Sequence, residues 1–90
     1  MSYEIDFSEK AVQDIDFHKK AGNIALLRKI DEFLNELREH PFTGTGKPES
    51  LKYDLSGKWS RRINSEHRLI YSIADTVVYI HSAKGHYEKK

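Results

Sequence analysis

The 90-residue sequence predicts an α+β fold: two helices packed on one face of a mostly antiparallel sheet of four to five strands. Three observations carry this. An alternating segment and two stretches of helical periodicity fill residues 1–40, a Gly- and Pro-rich break follows, and residues 51–82 then read as short alternating or apolar runs separated by tight turns. The length lies below the common domain size of roughly 100–150 residues, so residues 1–90 are expected to form one domain around one small core.

Each element has a local reason. Tyr3, Ile5 and Phe7 alternate with Glu4 and Asp6, the period of a half-buried strand. Ser8 suits a helix N-cap, and Ala11, Val12 and Ile15 then recur at helical spacing toward Gly22, a natural stop. Asn23 caps a second helix, whose stripe of Leu27, Ile30, Leu34 and Leu37 is widened by Ile24, Leu26 and Phe33 until His40-Pro41 ends it. A small domain needs every apolar face, so this stripe is expected to pack on the sheet. Residues 41–50, PFTGTGKPES, predict a loop. Leu51, Tyr53 and Leu55 then alternate with Lys52 and Asp54 as a strand, and Ser56-Gly57-Lys58 marks a turn. Strands are expected over Trp59–Ile63, His67–Ala74 and Val77–Ser82, the last two joined by Asp75-Thr76. No internal repeat or low-complexity tract occurs.

The formal charge of +1 hides a division. Residues 1–40 carry six basic and nine acidic side chains, residues 41–90 nine basic and five acidic, so the second half is where an anionic partner would dock. Cysteine is absent, which excludes disulfides, thiolate metal sites and a Cys nucleophile. The sequence begins without a basic region or apolar run, and nowhere has the roughly 18 consecutive apolar residues of a membrane span. A cytoplasmic protein with no membrane partner is expected.

The polar residues of the second half gather at sheet ends and along one side of its strands. They are Glu49 after the loop, Lys52 beside the first of these strands, Arg61, Arg62 and Arg68 on the next two, and His86-Tyr87 after the last. Neighbouring strand residues face opposite ways, so Arg61 and Arg62 cannot both line one surface, and one of them is expected to be structural. A carboxylate, several cations and a histidine suit metal-free RNA cleavage. The carboxylate takes a proton from a 2′-hydroxyl, guanidinium groups hold the charge that develops on phosphorus, and the imidazolium protonates the leaving 5′-oxygen. Five His residues raise a metal reading, but with no Cys and no H-E-x-x-H motif no metal site is expected. His67 is expected to be a hydrogen-bonded structural residue and Trp59 a core or sheet-face anchor.

The run Pro41-Phe42-Thr43-Gly44-Thr45-Gly46-Lys47-Pro48-Glu49 carries a resemblance. So do Leu51-Lys52, Leu55-Ser56-Gly57, Trp59-Ser60-Arg61-Arg62-Ile63, Glu66-His67-Arg68-Leu69-Ile70-Tyr71 and the later His86-Tyr87. Together they resemble the Txe/YoeB family of bacterial toxins, through most of the second half of the chain. The resemblance implies a microbial-ribonuclease-like fold of the RelE superfamily and a ribosome-dependent endoribonuclease that cuts mRNA in the ribosomal A site. It implies a partner antitoxin, typically of the Phd/YefM type, a possible homodimer, and no metal or organic cofactor. Carried over by position, Glu49 is the general base, Arg68 stabilises the phosphate and transition state, His86 is the general acid and Tyr87 orients substrate or His86. Lys52 and Arg62 fall at supporting cations.

Three departures stand out. Glu88-Lys89-Lys90 follow the His-Tyr pair with which the family commonly ends, Gly85 and Lys84 stand where relatives often have an aromatic residue and Arg, and Ser50 replaces a frequent Pro. Gly85 is expected to loosen the backbone before His86. The competing reading is a non-catalytic RNA- or ribosome-binding module whose charges supply affinity alone. Glu49 separates the two, because a carboxylate amid cations opposes simple RNA binding.

Overall fold

A computed structural model of the chain describes residues 2–85. The elements run β1 (Glu4–Phe7), α1 (Glu9–Lys20), α2 (Ile24–Leu37), β2 (Glu49–Ser50), a 3-10 turn over Tyr53–Leu55, β3 (Lys58–Arg62), β4 (Arg68–Ala74) and β5 (Val77–Ser82). The five strands form one sheet in the order β1-β5-β4-β3-β2. β1 pairs parallel with β5, and the other neighbours are antiparallel. The α+β expectation therefore holds, with a mixed sheet.

Both helices start where the sequence places them. The Ser8 hydroxyl accepts the Ala11 N–H at 3.0 Å, and the Asn23 side chain accepts the Leu26 N–H at 3.4 Å. The row of α2 that faces the sheet differs from the predicted stripe: Leu26, Ile30, Phe33 and Leu37 are buried. Leu27 and Leu34, half-buried, turn instead toward α1 and line an apolar groove of about 630 Å³ with Phe7, Val12 and Ile15. Two helices share the work of covering the sheet, so the α2 stripe divides between sheet and helix contacts. The core is completed by Ala11, Ile63, Leu69, Tyr71, Val78, Ile80 and Ala83, with Trp59 packed against it. Trp59 is thus a core-side anchor, in edge contact with Phe42 at 5.2 Å between centroids.

The strand expected over residues 51–55 is not formed. Pairing along the edge runs through Glu49 and Ser50 and ends where the Leu51 N–H donates to the Lys58 carbonyl. Tyr53 at φ +59° and Gly57 at φ +91° then turn the chain. The alternation misled because Leu51 is buried whereas Tyr53 is exposed and Leu55 only half-buried. His40 lies just past α2 and not within it.

One buried cation organises the middle of the molecule. Arg61 is fully buried on the core side of β3. Its Nε donates to the Tyr71 hydroxyl at 3.1 Å, Nη1 to Glu36 Oε1 at 2.8 Å and to the Thr45 carbonyl at 3.3 Å, and Nη2 to the carbonyls of His40 and Thr43, both at 2.8 Å. Each donor of the guanidinium fork is thereby used. The Tyr71 hydroxyl in turn donates to the Pro41 carbonyl at 3.1 Å. Three carbonyls of the 40–45 loop thus converge on one side chain, satisfying backbone groups that no sheet or helix serves. Gly46 fits the same close packing: at φ +81°, a Cβ there would meet the Phe33 ring at 2.5 Å.

Burial alone would raise the Glu36 carboxyl, but hydrogen bonds from the Thr45 hydroxyl and amide and from Arg61 outweigh it, leaving Glu36 below the ordinary carboxylate value. A carboxylate depressed in the folded state stabilises above its unfolded value, and the contribution is lost as pH falls through the folded one. Chemical denaturation should therefore show native stability falling between about pH 5 and pH 3 more steeply than that of Glu36→Gln. Near neutral pH, Arg61→Leu should lower the unfolding free energy by about 3 kcal/mol or more, because Glu36 and three loop carbonyls lose their donor.

Candidate active site on the open sheet face

The helices cover one face of the sheet, and strand alternation decides what lies on the other. Register places Glu49, Ser60 and Ile70 in one row, Arg62 opposite Arg68 in a second, and Lys58, Ser72 and Tyr79 in a third. Arg61 and Arg62 separate as expected: Arg61 enters the core while Arg62 is exposed on the open face.

Glu49 and Arg68 meet there. Arg68 Nη1 lies 3.5 Å from Glu49 Oε1 and donates to Ser60 Oγ at 3.2 Å. The two side chains are 49% and 24% exposed, so the pair is open to a ligand without being freely solvated. Arg62 stands directly across from Arg68 with its Nε donating to the Asn64 carbonyl at 3.4 Å. Like charges paired across a ladder cost stability, and that cost is recovered when an anion binds between them. Lys52 is exposed just beyond β2, at the head of the 3-10 turn.

The 40–46 loop reaches this face through β3. The Arg62 N–H donates to the Gly46 carbonyl at 2.8 Å, three residues before Glu49. The Arg61 anchor on one face and the Gly46 bond at the strand edge together fix where β2 begins.

His86 and Tyr87 lie outside the described residues. The chain leading to them is held from three sides. Asp14, on α1, accepts the Ala83 N–H at 2.9 Å, and His18 Nε2 bonds the Ala83 carbonyl at 2.9 Å. The Gly85 N–H donates to His67 Nδ1 at 2.9 Å, and the Gly85 carbonyl accepts the Arg68 N–H at 3.0 Å. Gly85 takes φ +79°, and with both backbone groups bonded it does not loosen this segment. His67 has the structural role expected of it, packing edge-on against His18 at 4.8 Å.

The 41–49 loop motif, the β3 arginines and the Glu49–Arg68 pair coincide with a family match. The family described as the YoeB-like toxin of bacterial type II toxin-antitoxin systems matches residues 7–87. This chain belongs to that family. Its YoeB relative from Synechocystis is 53% identical over 64 residues, covering 71% of this chain and 74% of the relative. The YoeB dimer from Staphylococcus aureus superposes with a TM-score of 0.84 at 40% identity, over 97% of this chain and 100% of that one. A YoeB–YefM complex from the same organism gives 0.82 at 41% with the same coverage. A YoeB/ParE toxin from Agrobacterium tumefaciens gives 0.89 at 30% identity, over 93% of this chain and 99% of that one.

Sequence reasoning missed Ser60, which is fully buried under the Arg68 guanidinium. Its signal was parity, since Ser60 stands two residues from Arg62 and therefore on the same face. Among the described residues no cluster of three or more His, Asp or Glu side chains could hold a metal ion. Among the described residues no helix of this YoeB-like toxin is long and apolar enough to cross a membrane.

Removing the Asp14 carboxylate leaves the buried Ala83 N–H without an acceptor, at a cost of about 1–3 kcal/mol. In Asp14→Ala, hydrogen exchange at the Ala83 and Gly85 amides should accelerate well before exchange in β3 and β4.

Proposed function

We propose that this YoeB-like toxin is a ribosome-dependent endoribonuclease that cuts mRNA in the A site, working in the cytoplasm and restrained by a YefM-type antitoxin. The observation that carries the reading is the Glu49 carboxylate held 3.5 Å from the Arg68 guanidinium on an open sheet face, with Ser60 and Arg62 alongside.

In this chemistry Glu49 takes the 2′-hydroxyl proton as that oxygen attacks the adjacent phosphorus. Arg68, supported by Arg62 and Lys52, balances the charge on the phosphoryl oxygens. The bond from phosphorus to the 5′-oxygen then breaks, giving a 2′,3′-cyclic phosphate and a 5′-hydroxyl. The resemblance assigns the proton delivered to that oxygen to His86, the residue after the anchored Gly85, and the orienting role to Tyr87, an aromatic suited to stacking on an unpaired base. No metal or organic cofactor enters any step. The Staphylococcus relatives, solved as a dimer and with YefM, support an antitoxin partner and a homodimer for this chain as well.

The reaction needs a 2′-hydroxyl aligned with the adjacent phosphorus, so ribosomal positioning of the message is expected to supply much of the rate. Purified protein added to programmed ribosomes should yield new mRNA 5′ ends at a fixed offset in the A site and cut naked RNA far more slowly. Glu49→Gln should lower the cleavage rate at least about 100-fold while ribosome association persists. Native-rate cutting by Glu49→Gln would remove Glu49 as base. Ribosome association without cleavage by the native chain would favour the binding module.

A further inference from the structure

We propose that Lys58, Ser72, His81 and Tyr79 form a second nucleotide subsite on the open face, which binds a phosphate and base flanking the scissile bond. The inference rests on the nuclease reading and adds a place for the RNA strand beyond the reacting phosphate.

Four observations carry it. Lys58, Ser72 and Tyr79 are successive cross-strand partners on β3, β4 and β5, so their side chains stand side by side on the face that holds Glu49 and Arg68. The β5 irregularity opposite Ile70/Tyr71 brings His81 to this row, where its Nε2 lies 2.7 Å from Ser72 Oγ. Lys58 makes no ion pair among the described residues and is half-buried, and burial of the His81 ring, followed by the Lys58 charge, lowers the affinity of that ring for a proton. Tyr79 leaves 37% of its surface exposed, which offers a ring edge to an unpaired base.

The spacing suits a nucleotide further along the strand than the reacting phosphate. Ser72 lies four residues beyond Arg68 on β4, about 13 Å along the strand, too far for one phosphate to touch both. The Lys58 ammonium and the one donor that the bonded Ser72–His81 pair keeps free, hydroxyl or ring N–H according to tautomer, can both reach phosphate oxygens. Besides Glu49 at the opposite edge, strand register puts the acidic residues Glu4 and Asp6 of edge strand β1 on this face, level with Val77 and Tyr79. They bound the cationic track and set the side on which RNA stops. The sequence hid this row because its members come from three strands, with no two adjacent in the chain.

The test is binding, separate from cutting. A 2′-O-methyl hexanucleotide, which cannot be cleaved, is titrated into the native chain, Lys58→Gln and Tyr79→Leu across about 50–200 mM salt. Lys58→Gln should weaken binding about threefold and reduce the slope of log affinity against log salt by about 0.7, the signature of one lost phosphate contact on a single strand. Tyr79→Leu should weaken binding with the slope unchanged, because stacking releases no counterion. An unchanged slope in Lys58→Gln, or no binding by the native chain, overturns the subsite. So does weakened antitoxin binding in Lys58→Gln with RNA affinity intact, which would make the row a protein-docking surface. If the native chain binds with the Lys58-dependent slope but leaves ribosome-bound message whole, the subsite stands and the nuclease reading falls.

Discussion

The buried Arg61 guanidinium is the constraint on which the rest of this molecule depends. A charge removed from water is costly unless paired and fully hydrogen-bonded, and Arg61 meets that demand with Glu36, Tyr71 and three carbonyls of the loop before β2. The satisfaction is mutual. The loop is rich in Gly and Pro and has no regular structure, so without Arg61 its carbonyls would need water in a space occupied by Phe33 and Tyr71. A loop that would otherwise sample many conformations is held in one, and it delivers Glu49 to the sheet edge.

What happens on the open face follows from that anchor and from strand parity. Arg61 faces inward, so Ser60 and Arg62 face outward, and register brings them to Glu49 and Arg68. On the other side of Arg68, α1 reaches across to hold Ala83 through Asp14 and His18, while His67 holds Gly85. The two halves of the candidate site are thus fixed by different helices: α2 through Glu36 for the carboxylate side, α1 for the chain that continues to His86. The uneven charge of the sequence has a spatial meaning here, with much of the acidic half in helices behind the sheet and the cations Lys58, Arg62 and Arg68 on its open face.

Much of this was legible before the fold was known, where local physics decides. Ser8 and Asn23 cap helices because their side chains answer orphan N–H groups, and the Arg61/Arg62 split needs only the two-residue strand period. The misreadings arose where tertiary contacts overrule local pattern. Leu51, Tyr53 and Leu55 alternate like a strand, yet left-handed Tyr53 and Gly57 end the pairing at Leu51. Gly85 read as a loose joint, but its two backbone bonds go to residues 17 and 18 positions away. Which of Arg61 and Arg62 turns inward was likewise invisible locally, since it depends on a loop and a helix distant in sequence.

Under the proposed function, Arg61 would act on cleavage through the placement of Glu49. Single-turnover cleavage on programmed ribosomes by native chain, Arg61→Lys, Glu49→Gln and the double variant measures it directly, at a temperature where circular dichroism shows all four folded. Lys keeps the charge but loses the fork that gathers the loop carbonyls. Arg61→Lys should slow cutting in the native background and have no further effect once Glu49 is Gln, a strongly non-additive cycle. Losses that simply multiply in the double variant would contradict it.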